Sequence, residues 1–410
     1  MSYCETIDAT PPAKRWHLVR GLMRDEPHPF FAEMRERRPV LALPNLTLAF
    51  RYADCALILR RHDDFGVDLY RPKQGDYFMA QDDTADHWRD KAIMRSILDF
   101  EEIPAIRAFV GEHTQKLLKA GKGRIDLAKS VGRAVPIAVV RAFFGLEDGD
   151  PADLAEISYW NQQDAFHNQP FDESPDATKI VAEREKANIR LGLLIATIVA
   201  KKSIPAKLGL GGEDSVTRLL KLSFSGGVKF SVKKVLFNAG GLLIGAVETT
   251  SHCINNVFAE LFSRPEALAA AQIAARRGPP AASDAVALEA LRLRPAFPYF
   301  FRTCHKATEL SGGSAFAAKV TPGTTVLAVT QSAMSDPASF AEPTRFDVAR
   351  SQGDNFVFGY GLHECLGRAV AREMLGEMVR QLLLLPGLAA AGPVEFRSGV
   401  PESFPLRWAA

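Results

Sequence analysis

The residues with the clearest chemical meaning lie in the loop Phe358-Gly-Tyr-Gly-Leu-His-Glu-Cys-Leu-Gly367. The loop holds one cysteine, Cys365, just before a helical pattern that starts at Arg368. The free N–H groups and the positive end of the dipole at a helix N-terminus stabilise a thiolate there. Three glycines let the backbone pass close to a flat, bulky group. The loop therefore predicts a thiolate ligand, and thiolate sulfur is the ligand that pushes electron density onto haem iron.

The loop matches, at six positions, the haem-binding signature Phe-Gly-x-Gly-x-His-x-Cys-x-Gly. On these residues the chain resembles the cytochrome P450 family, in its soluble bacterial type, from about residue 27 to the C-terminus. The resemblance implies that Cys365 is the axial thiolate ligand of iron in haem b and that His363 lies close to a haem propionate. Phe358 and Gly359 would belong to the same haem-binding loop. A lone cysteine among apolar residues is otherwise a small core side chain.

A second informative stretch, Gly240-Gly-Leu-Leu-Ile-Gly-Ala-Val-Glu-Thr-Thr250, lies in a long predicted helix over residues 231–262. A glycine costs a helix interior about 1 kcal/mol, so the cluster indicates the close approach of another group. A threonine here can bond the carbonyl four residues earlier, and an adjacent acid and alcohol can relay protons. The alternative is tight helix packing, with Glu248 in a structural ion pair.

This stretch also resembles a family motif, Ala/Gly-Gly-x-Asp/Glu-Thr. By that resemblance, Glu248 and Thr249 are the acid and the alcohol that deliver protons to dioxygen. Ala246 stands where the family usually has its second glycine. Its methyl group is therefore expected to narrow the oxygen groove or to alter the kink of the helix.

Three cationic side chains are candidates for partners of the haem propionates. His87-Trp-Arg-Asp-Lys91 resembles the family's His-x-x-x-Arg, with lysine in place of arginine. A lysine neutralises a propionate as a point charge rather than as a bidentate fork. Arg302 matches the family's other propionate arginine.

Glu289-Ala-Leu-Arg292 places a carboxylate and a guanidinium on one face of a helix, because residues three apart are neighbours there. A generic pair of this kind is a solvated surface ion pair. Its position, 73 residues before Cys365, resembles that of the family's Glu-x-x-Arg pair. In the family, that pair and a later arginine stabilise the structure behind the haem. Glu289 and Arg292 are therefore assigned a structural role, with Arg345 as the third member. Arg350 is a second candidate for that place.

The same resemblance places three loops and the long helix around a substrate pocket, namely residues 67–79, 296–299 and 399–403. The aromatic residues Phe297, Tyr299, Phe300 and Phe301 suit an apolar or aromatic ligand. Each ring could equally belong to the core. The predicted pocket residues are Gly241, Ile244, Gly245, Phe297, Pro298 and Val400.

Helical periodicity dominates the elements that must position these residues. Helices are predicted over residues 54–61, 84–98, 101–119, 153–166, 178–201, 214–222, 231–262, 266–275, 283–292 and 368–385. Short strands are predicted at 41–43, 46–51 and 324–329, with a C-terminal pair around Glu395 and Leu406 joined through Ser398-Gly399. The fold class is mainly α with small β-sheets, similar to the cytochrome P450 fold. The resemblance places the haem between the long central helix and the Cys-loop helix. We predict one domain over residues 1–410, its first 25 or so residues an irregular arm.

Composition excludes several classes of protein. The chain has 410 residues, of which 47% are hydrophobic and 24% charged, and a formal net charge of +2. This charge is too small for a nucleic-acid binder. The five cysteines are scattered and form no C-x-x-C pair, which indicates a reducing compartment rather than disulfides or a zinc site. No secretory signal is present and no apolar run reaches the roughly 20 residues that span a bilayer, so we expect a cytoplasmic protein without membrane contact.

The resemblance implies a haem-thiolate monooxygenase that inserts one oxygen atom of O2 into a small, largely apolar or aromatic substrate. Its electrons would come from NAD(P)H through a reductase and a separate ferredoxin or flavodoxin, because the family signatures leave no room for a redox module. A basic docking face for that partner is predicted at Arg89, Lys91, Arg95, Arg368 and Arg372. Two alternatives stay open: a peroxygenase driven by hydrogen peroxide, and a non-enzymatic haem sensor or carrier.

Overall fold

The computed structural model describes residues 1–75, 77–98 and 100–409. Asp76, which belongs to the predicted pocket loop 67–79, lies outside the described residues. The helices are α1 (Tyr3–Ala9), α2 (Pro12–Asp25), α3 (Pro27–Arg37), α4 (Tyr52–Arg60), α5 (Arg71–Gln74), α6 (Ala85–Ile97), α7 (Ile103–Gly121), α8 (Ala134–Ala142), α9 (Pro151–His167), α10 (Ala177–Lys207), α11 (Ser215–Phe224), α12 (Val232–Phe262), α13 (Pro265–Arg277), α14 (Ala281–Leu293), α15 (Thr330–Ala333) and α16 (Arg368–Leu383). A π-helix spans Leu127–Arg133, and short 3-10 helices span Phe78–Ala80, Phe100–Glu102, Pro170–Asp172 and Gly361–His363.

The strands found among the described residues are short and form four small sheets. They are β1 (Val40–Ala42), β2 (Thr47–Ala49), β3 (Phe65–Gly66), β4 (Arg124–Asp126), β5 (Phe300–Cys304), β6 (Thr308–Leu310), β7 (Ala318–Val320), β8 (Thr325–Ala328), β9 (Ala389–Ala390), β10 (Glu395–Arg397), β11 (Val400–Ser403) and β12 (Pro405–Arg407). The largest sheet has the order β1-β2-β8-β5-β3 and is antiparallel except for the parallel pair β2 and β8. The mainly helical class with small sheets is therefore confirmed.

Close packing divides the described residues into two compact units. The first comprises residues 1–75, 79–87 and 291–365, and the second contains most of the remaining chain, from Trp88 to Ala290 and from Leu366 onward. In the first unit, buried residues of β5 and β8 pack with α4 in one core cluster that includes Ile58, Phe65 and Val326. In the second, α12 packs against α8, α9, α10, α11 and α16. The prediction of a single domain is not tested by this division and stays a prediction.

The prediction of an irregular N-terminal arm was wrong, because α1 and α2 occupy that segment. Ser2 and Glu5 form a capping box: the Ser2 hydroxyl accepts from the Glu5 N–H, and the Ser2 N–H donates to the Glu5 carboxylate at 2.8 Å. Pro12 opens α2 at its first position, where a proline costs no hydrogen bond. Ile7 and Val19 are completely buried. Local capping and apolar anchoring therefore hold the segment in helices.

The predicted C-terminal strand pair needs a correction as well. β10 pairs with β11 around the Ser398-Gly399 turn, where both residues have positive φ. Leu406 instead lies in β12, which pairs with β4 and β9 in another sheet. A hairpin through this turn brings Glu395 opposite Ser403, so Leu406 is too far along the chain to join it.

A buried ionic cluster joins three helices of the second unit. Arg107 on α7 donates to Asp284 on α14 at 3.0 Å and bonds Glu373 on α16. These carboxylates raise the pKa of Arg107, although burial opposes them. Gly376 on α16 lies directly against Asp284, since a Cβ added there would meet the Asp284 carboxylate carbon at 2.7 Å.

Gly376→Ala should therefore destabilise the protein, by about 1–3 kcal/mol, because the added methyl displaces a buried carboxylate from its arginine. The measurement is urea unfolding followed by circular dichroism. Gly192→Ala on α10 is the matched control, since a Cβ there meets nothing within 4 Å. We expect the control to be neutral or stabilising, because alanine is the better helix former. Equal stability of the two variants would contradict the close approach of α14 and α16.

Within the described part of the chain, no helix is both long enough and apolar enough to span a lipid bilayer.

Candidate active site

The loop before α16 is shaped by two left-handed glycines in the first unit. Gly359 and Gly361 have φ values of +74° and +72°, which disfavour any residue with a side chain. A Cβ on Gly361 would lie 2.6 Å from the Leu59 carbonyl oxygen at the end of α4. The Cys365 N–H donates to the Phe358 carbonyl at 2.8 Å and closes the loop. These contacts fix the backbone on both sides of the thiol.

Cys365 differs from the other cysteines in exposure. Cys4, Cys55 and Cys304 are buried and Cys253 is half-buried, whereas Cys365 is exposed. Gly367, two residues later, is the N-cap of α16. A thiol presented at a helix N-terminus is therefore the one that could bind an external group.

Two histidines of the first unit lie beside each other near this loop. The rings of His87 and His363 are 5.3 Å apart and nearly perpendicular, and His87 is completely buried. The Thr84 hydroxyl accepts from the His87 N–H at 3.1 Å at the start of α6. The structure thus brings together two residues that the sequence predicted for the same propionate region.

Arg302 is buried on β5, and its guanidinium donates to the Phe301 carbonyl at 2.8 Å. Burial lowers its pKa, while the neighbouring Tyr70 hydroxyl and the Asp82 carboxylate oppose that shift. Among the residues described here, no carboxylate forms an ion pair with it. A buried guanidinium without such a partner suits the carboxylate of a bound anion.

Lys91 belongs to the second unit and is buried on α6. Its burial contradicts its place in the predicted basic docking face, because a docking residue must be accessible. Arg89 also contributes little free charge, since its guanidinium pairs with Asp90 at 2.9 Å. Arg95 and Arg368 are exposed. Arg372 is half exposed, and its guanidinium lies 3.8 Å from the Asp284 carboxylate. The exposed members of that predicted face are therefore Arg95, Arg368 and Arg372.

The glycines of α12 have two different environments. The Tyr77 ring covers Gly241, where a Cβ would meet the ring at 2.5 Å. Gly245 is exposed, and a Cβ on it would meet nothing within 4 Å. The Thr249 hydroxyl donates to the Gly245 carbonyl, as the sequence predicted for a threonine in this position. This part of the helix therefore presents a threonine hydroxyl beside an open glycine.

Glu248 forms the buried ion pair that the sequence left open as an alternative. Its carboxylate accepts from Arg133 at 2.6 and 3.1 Å, and its N–H donates to the Ser158 hydroxyl. Burial raises the pKa of Glu248, and the Arg133 guanidinium opposes that shift. Arg133 also donates to the Pro401 carbonyl at 2.9 Å and lies 3.8 Å from Glu402.

Sequence reasoning missed Arg133 entirely. It is the last residue of the π-helix before α8, a segment for which no helix was predicted, and π-helical turns are frequent at functional sites. The available signal was an arginine inside the apolar run from Val131 to Val140. A charge in such a run needs a buried partner.

Arg345 does not supply the side chain expected of it. Its guanidinium is exposed and pairs with Glu342 at 2.8 Å, while its backbone carbonyl accepts from Arg292 at 3.3 Å. Arg292 is buried and also donates to the Met334 carbonyl at 2.6 Å. Arg350 donates to the Ala341 carbonyl at 2.9 Å. The structural role of Arg292 is thus to donate hydrogen bonds to backbone carbonyls of the segment that follows α15. Glu289 lies buried one turn earlier on α14.

The predicted aromatic pocket residues divide between two roles. Phe301 is buried and stacks on Tyr70 with centroids 4.4 Å apart, and Tyr299 packs edge-on against Trp16. Phe297 and Phe300 are half-buried, with centroids 6.4 Å apart. Phe301 therefore belongs to the core, whereas the rings of Phe297, Tyr299 and Phe300 are half-buried.

The remaining predicted pocket residues differ in accessibility too. The Pro298 carbonyl accepts from the Gln331 N–H at 3.0 Å. Ile244 is half-buried on α12 in the second unit, and Val400 is fully buried on β11. Their position in a pocket stays a prediction.

A protein-family model described as cytochrome P450 matches residues 40–385 of the chain. The chain belongs to the cytochrome P450 family. Members bind haem through a cysteine thiolate and use O2, so the protein is a haem-thiolate monooxygenase, an oxidoreductase.

Relatives and solved structures agree with this assignment. The cytochrome P450 monooxygenase PikC of Streptomyces venezuelae is 28% identical over 315 residues, which are 74% of this chain and 68% of the relative. The erythromycin C-12 hydroxylase of Saccharopolyspora erythraea is 27% identical over 346 residues, 83% of this chain and 82% of the relative. The crystal structure of Mycobacterium smegmatis CYP164A2 is similar with a TM-score of 0.80 and 22% identity, covering 97% of this chain and all of that one.

The residues present fit a haem. An exposed thiol stands at a helix N-terminus, and His87 is buried beside His363. Buried Arg302 offers positive charge to a propionate, since no carboxylate of the described residues forms an ion pair with it. The glycines of the loop allow its left-handed turns and its close contact with α4. These features suit a haem bound through the Cys365 thiolate.

Proposed function

We propose that the protein hydroxylates a small, largely apolar or aromatic molecule with O2, using electrons from a separate ferredoxin or flavodoxin and its reductase. The observation that carries the proposal is the pair on α12: the Thr249 hydroxyl lies beside the open Gly245, and the preceding residue, Glu248, is a buried acid. A peroxygenase or a haem sensor needs no such pair, because neither protonates dioxygen.

Each haem-facing residue has a distinct role in this proposal. Cys365 would hold the haem through its thiolate, and His87, His363 and Arg302 in the first unit would bind its propionates. Lys91 in the second unit adds a buried positive charge. When bound, the haem supplies oxygen activation and transfer of one oxygen atom to a C–H bond. The loop glycines, Gly359 among them, shape the surface on which the cofactor rests.

In this proposal, side chains of the second unit carry out the proton transfers. The Thr249 hydroxyl donates its proton to the Gly245 carbonyl and can turn to donate it to an oxygen acceptor instead. Glu248 is the buried acid that would replace this proton. Its hydrogen bonds with Arg133 must first lengthen, and Glu402, 3.8 Å from Arg133, offers that guanidinium a second carboxylate.

The substrate class rests on the accessible lining. Phe297, Tyr299 and Phe300, all in the first unit, have half-buried rings. Two relatives are named erythromycin C-12 hydroxylase and luteothin monooxygenase, so larger natural products belong in any substrate screen. A spectral titration against aromatic acids, terpenoids, fatty acids and macrolides identifies the compound that displaces the axial water.

Thr249→Ala should lower product formation by about tenfold or more when ferredoxin, reductase and NADPH drive the reaction, because the hydroxyl that positions the proton is lost. Product formation driven by hydrogen peroxide should change little. Product formation and NADPH consumption are measured in the same reaction. The substrate is the compound that gives the largest spectral shift in the titration. The matched control is Thr250→Ala, whose side chain is buried on another face of α12.

Two results would overturn the proposal. Turnover by peroxide alone, unaffected by Thr249→Ala, would make the protein a peroxygenase. A normal thiolate spectrum without turnover by either route, across the whole panel, would favour the sensor or carrier.

A further inference from the structure

The middle of α10 is apolar on every side. The stretch Leu191-Gly-Leu-Leu-Ile-Ala-Thr-Ile-Val-Ala200 contains one polar residue. Leu191, Ile195 and Ile198 are buried and face the neighbouring helices of the second unit. A surface helix normally carries polar residues on its opposite side, and one that is hydrophobic all round is normally buried all round. The outer side of α10 therefore lacks the polar surface expected of a face in permanent contact with water.

Large side chains on that outer side are exposed. Ile189, Leu193 and Ile204 are 66%, 67% and 73% exposed. Helical spacing places them on one stripe with the smaller exposed residues Ala196 and Ala200. We call this stripe, which also contains Glu185, Gly192 and Lys207, the outer face of α10.

The end charges and the small residues of the outer face are placed symmetrically about Ala196. Glu185 stands eleven residues before it and Lys207 eleven residues after it, and both are exposed. The small residues Gly192 and Ala200 flank the centre, where a Cβ on Gly192 would meet nothing within 4 Å. Two copies of the helix, packed antiparallel with their centres together, could approach closely there. Each Glu185 would then stand opposite the Lys207 of the other copy.

A lipid surface suits this face less well than a second copy does. A helix that lies in a membrane interface has a polar side rich in lysine and arginine and usually carries Trp or Phe. The outer face has no aromatic residue, and its flanks mix acidic Glu183 and Glu185 with basic Lys186 and Lys201. No described helix can cross a bilayer. Glu185 and Lys207 instead complement each other under a two-fold axis through Ala196.

We propose that the protein forms a homodimer through the outer faces of α10, packed antiparallel about Ala196. The face is about 33 Å long from Glu185 to Lys207, because a helix rises about 1.5 Å per residue. A single helix pair of this length lies at the low end of specific interfaces, so the dimer should dissociate in about the micromolar range. The dimer forms whether or not the proposed substrate class is correct.

The test is sedimentation velocity of the haem-loaded wild-type protein at protein concentrations that span the micromolar range. We expect a concentration-dependent dimer, and we expect Leu193→Glu to weaken it at least tenfold. Ile273→Glu is the matched control, because Ile273 is 53% exposed on α13, outside the outer face, and should leave the dimer intact. Haem content and unfolding midpoint show that each variant is folded.

A charge exchange then tests the antiparallel register. Glu185→Lys should weaken the dimer, and the double variant Glu185→Lys with Lys207→Glu should restore it. A wild-type protein that stays monomeric throughout would overturn the proposal, as would a dimer that Leu193→Glu leaves unchanged. A dimer that the double variant does not restore would overturn the register. Binding of the wild type to phosphatidylcholine vesicles, lost in Leu193→Glu, would assign the face to lipid instead.

Discussion

Cys365→Ser should abolish the red-shifted Soret band of the reduced carbon monoxide complex and lower turnover by about three orders of magnitude. Serine keeps the size of the side chain but replaces the thiolate by a hydroxyl, which gives the iron far less electron density and raises the barrier to O–O cleavage by about 4 kcal/mol. The backbone should be unchanged, because Gly359, Gly361 and the hydrogen bond from the Cys365 N–H to Phe358 shape the loop. The measurement is the difference spectrum, with haem content determined in parallel.

Cys253→Ser is the control for this variant, because Cys253 is half-buried on α12 and outside the loop. It should keep the spectrum and the turnover of the wild type. A Cys365→Ser protein that retains the thiolate band would show that another cysteine binds the iron. Cys4, Cys55 and Cys304 are poor replacements, because all three are buried, and burial raises the pKa of the Cys55 thiol well above its ordinary value.

The positions of the main helices were predictable because their apolar periodicity is strong. The long helix with Glu248 and Thr249 begins and ends within one residue of its predicted bounds, and α16 begins at Arg368 as predicted. Helix α1 was missed, since it is only seven residues long and depends on the Ser2 capping box. Short helices held by caps and tertiary anchors leave little periodic signal.

Side-chain direction was the part that sequence could not supply. The sequence placed Arg345 near Arg292, and the structure agrees, but the contact uses the Arg345 carbonyl while its guanidinium pairs with Glu342. Phe300 and Phe301 show the same limit, because adjacent residues of a strand face opposite sides: Phe301 is buried in the core, whereas Phe300 is half-buried. Spacing along the chain determines proximity, whereas tertiary packing determines which group makes the contact.

The sequence also left the partner of Glu248 open, because that partner, Arg133, is 115 residues away in the sequence. Glu248 can serve both as the partner in an ion pair and as a proton donor. Arg133 stabilises the ionised form, while burial favours the protonated form. A carboxyl group under such opposing influences can change its protonation state with a small movement of one guanidinium.

Arg133→Leu should destabilise the protein by about 3–5 kcal/mol near neutral pH, because Glu248 would be left as a buried carboxylate without its cation. Burial already raises the pKa of Glu248, so the folded protein binds its proton more readily than the unfolded chain does. The contribution of this group to stability therefore falls as pH rises between its unfolded and folded pKa values. Loss of Arg133 raises the folded pKa further, so the destabilisation should be smallest at acidic pH and grow towards neutral pH. Urea unfolding across that range measures it.

The double variant Arg133→Leu with Glu248→Leu separates the structural role of the ion pair from the chemical role of the acid. Apolar residues of similar size can replace a buried ion pair at little cost, so most of the lost stability should return. Turnover driven by NADPH should stay low, because no acid then stands beside Thr249. Arg38→Leu, which breaks an exposed pair with Asp8, is the control and should change stability by less than about 1 kcal/mol. Recovery of turnover together with stability would show that Glu248 is purely structural, and that Thr249 draws its proton from elsewhere.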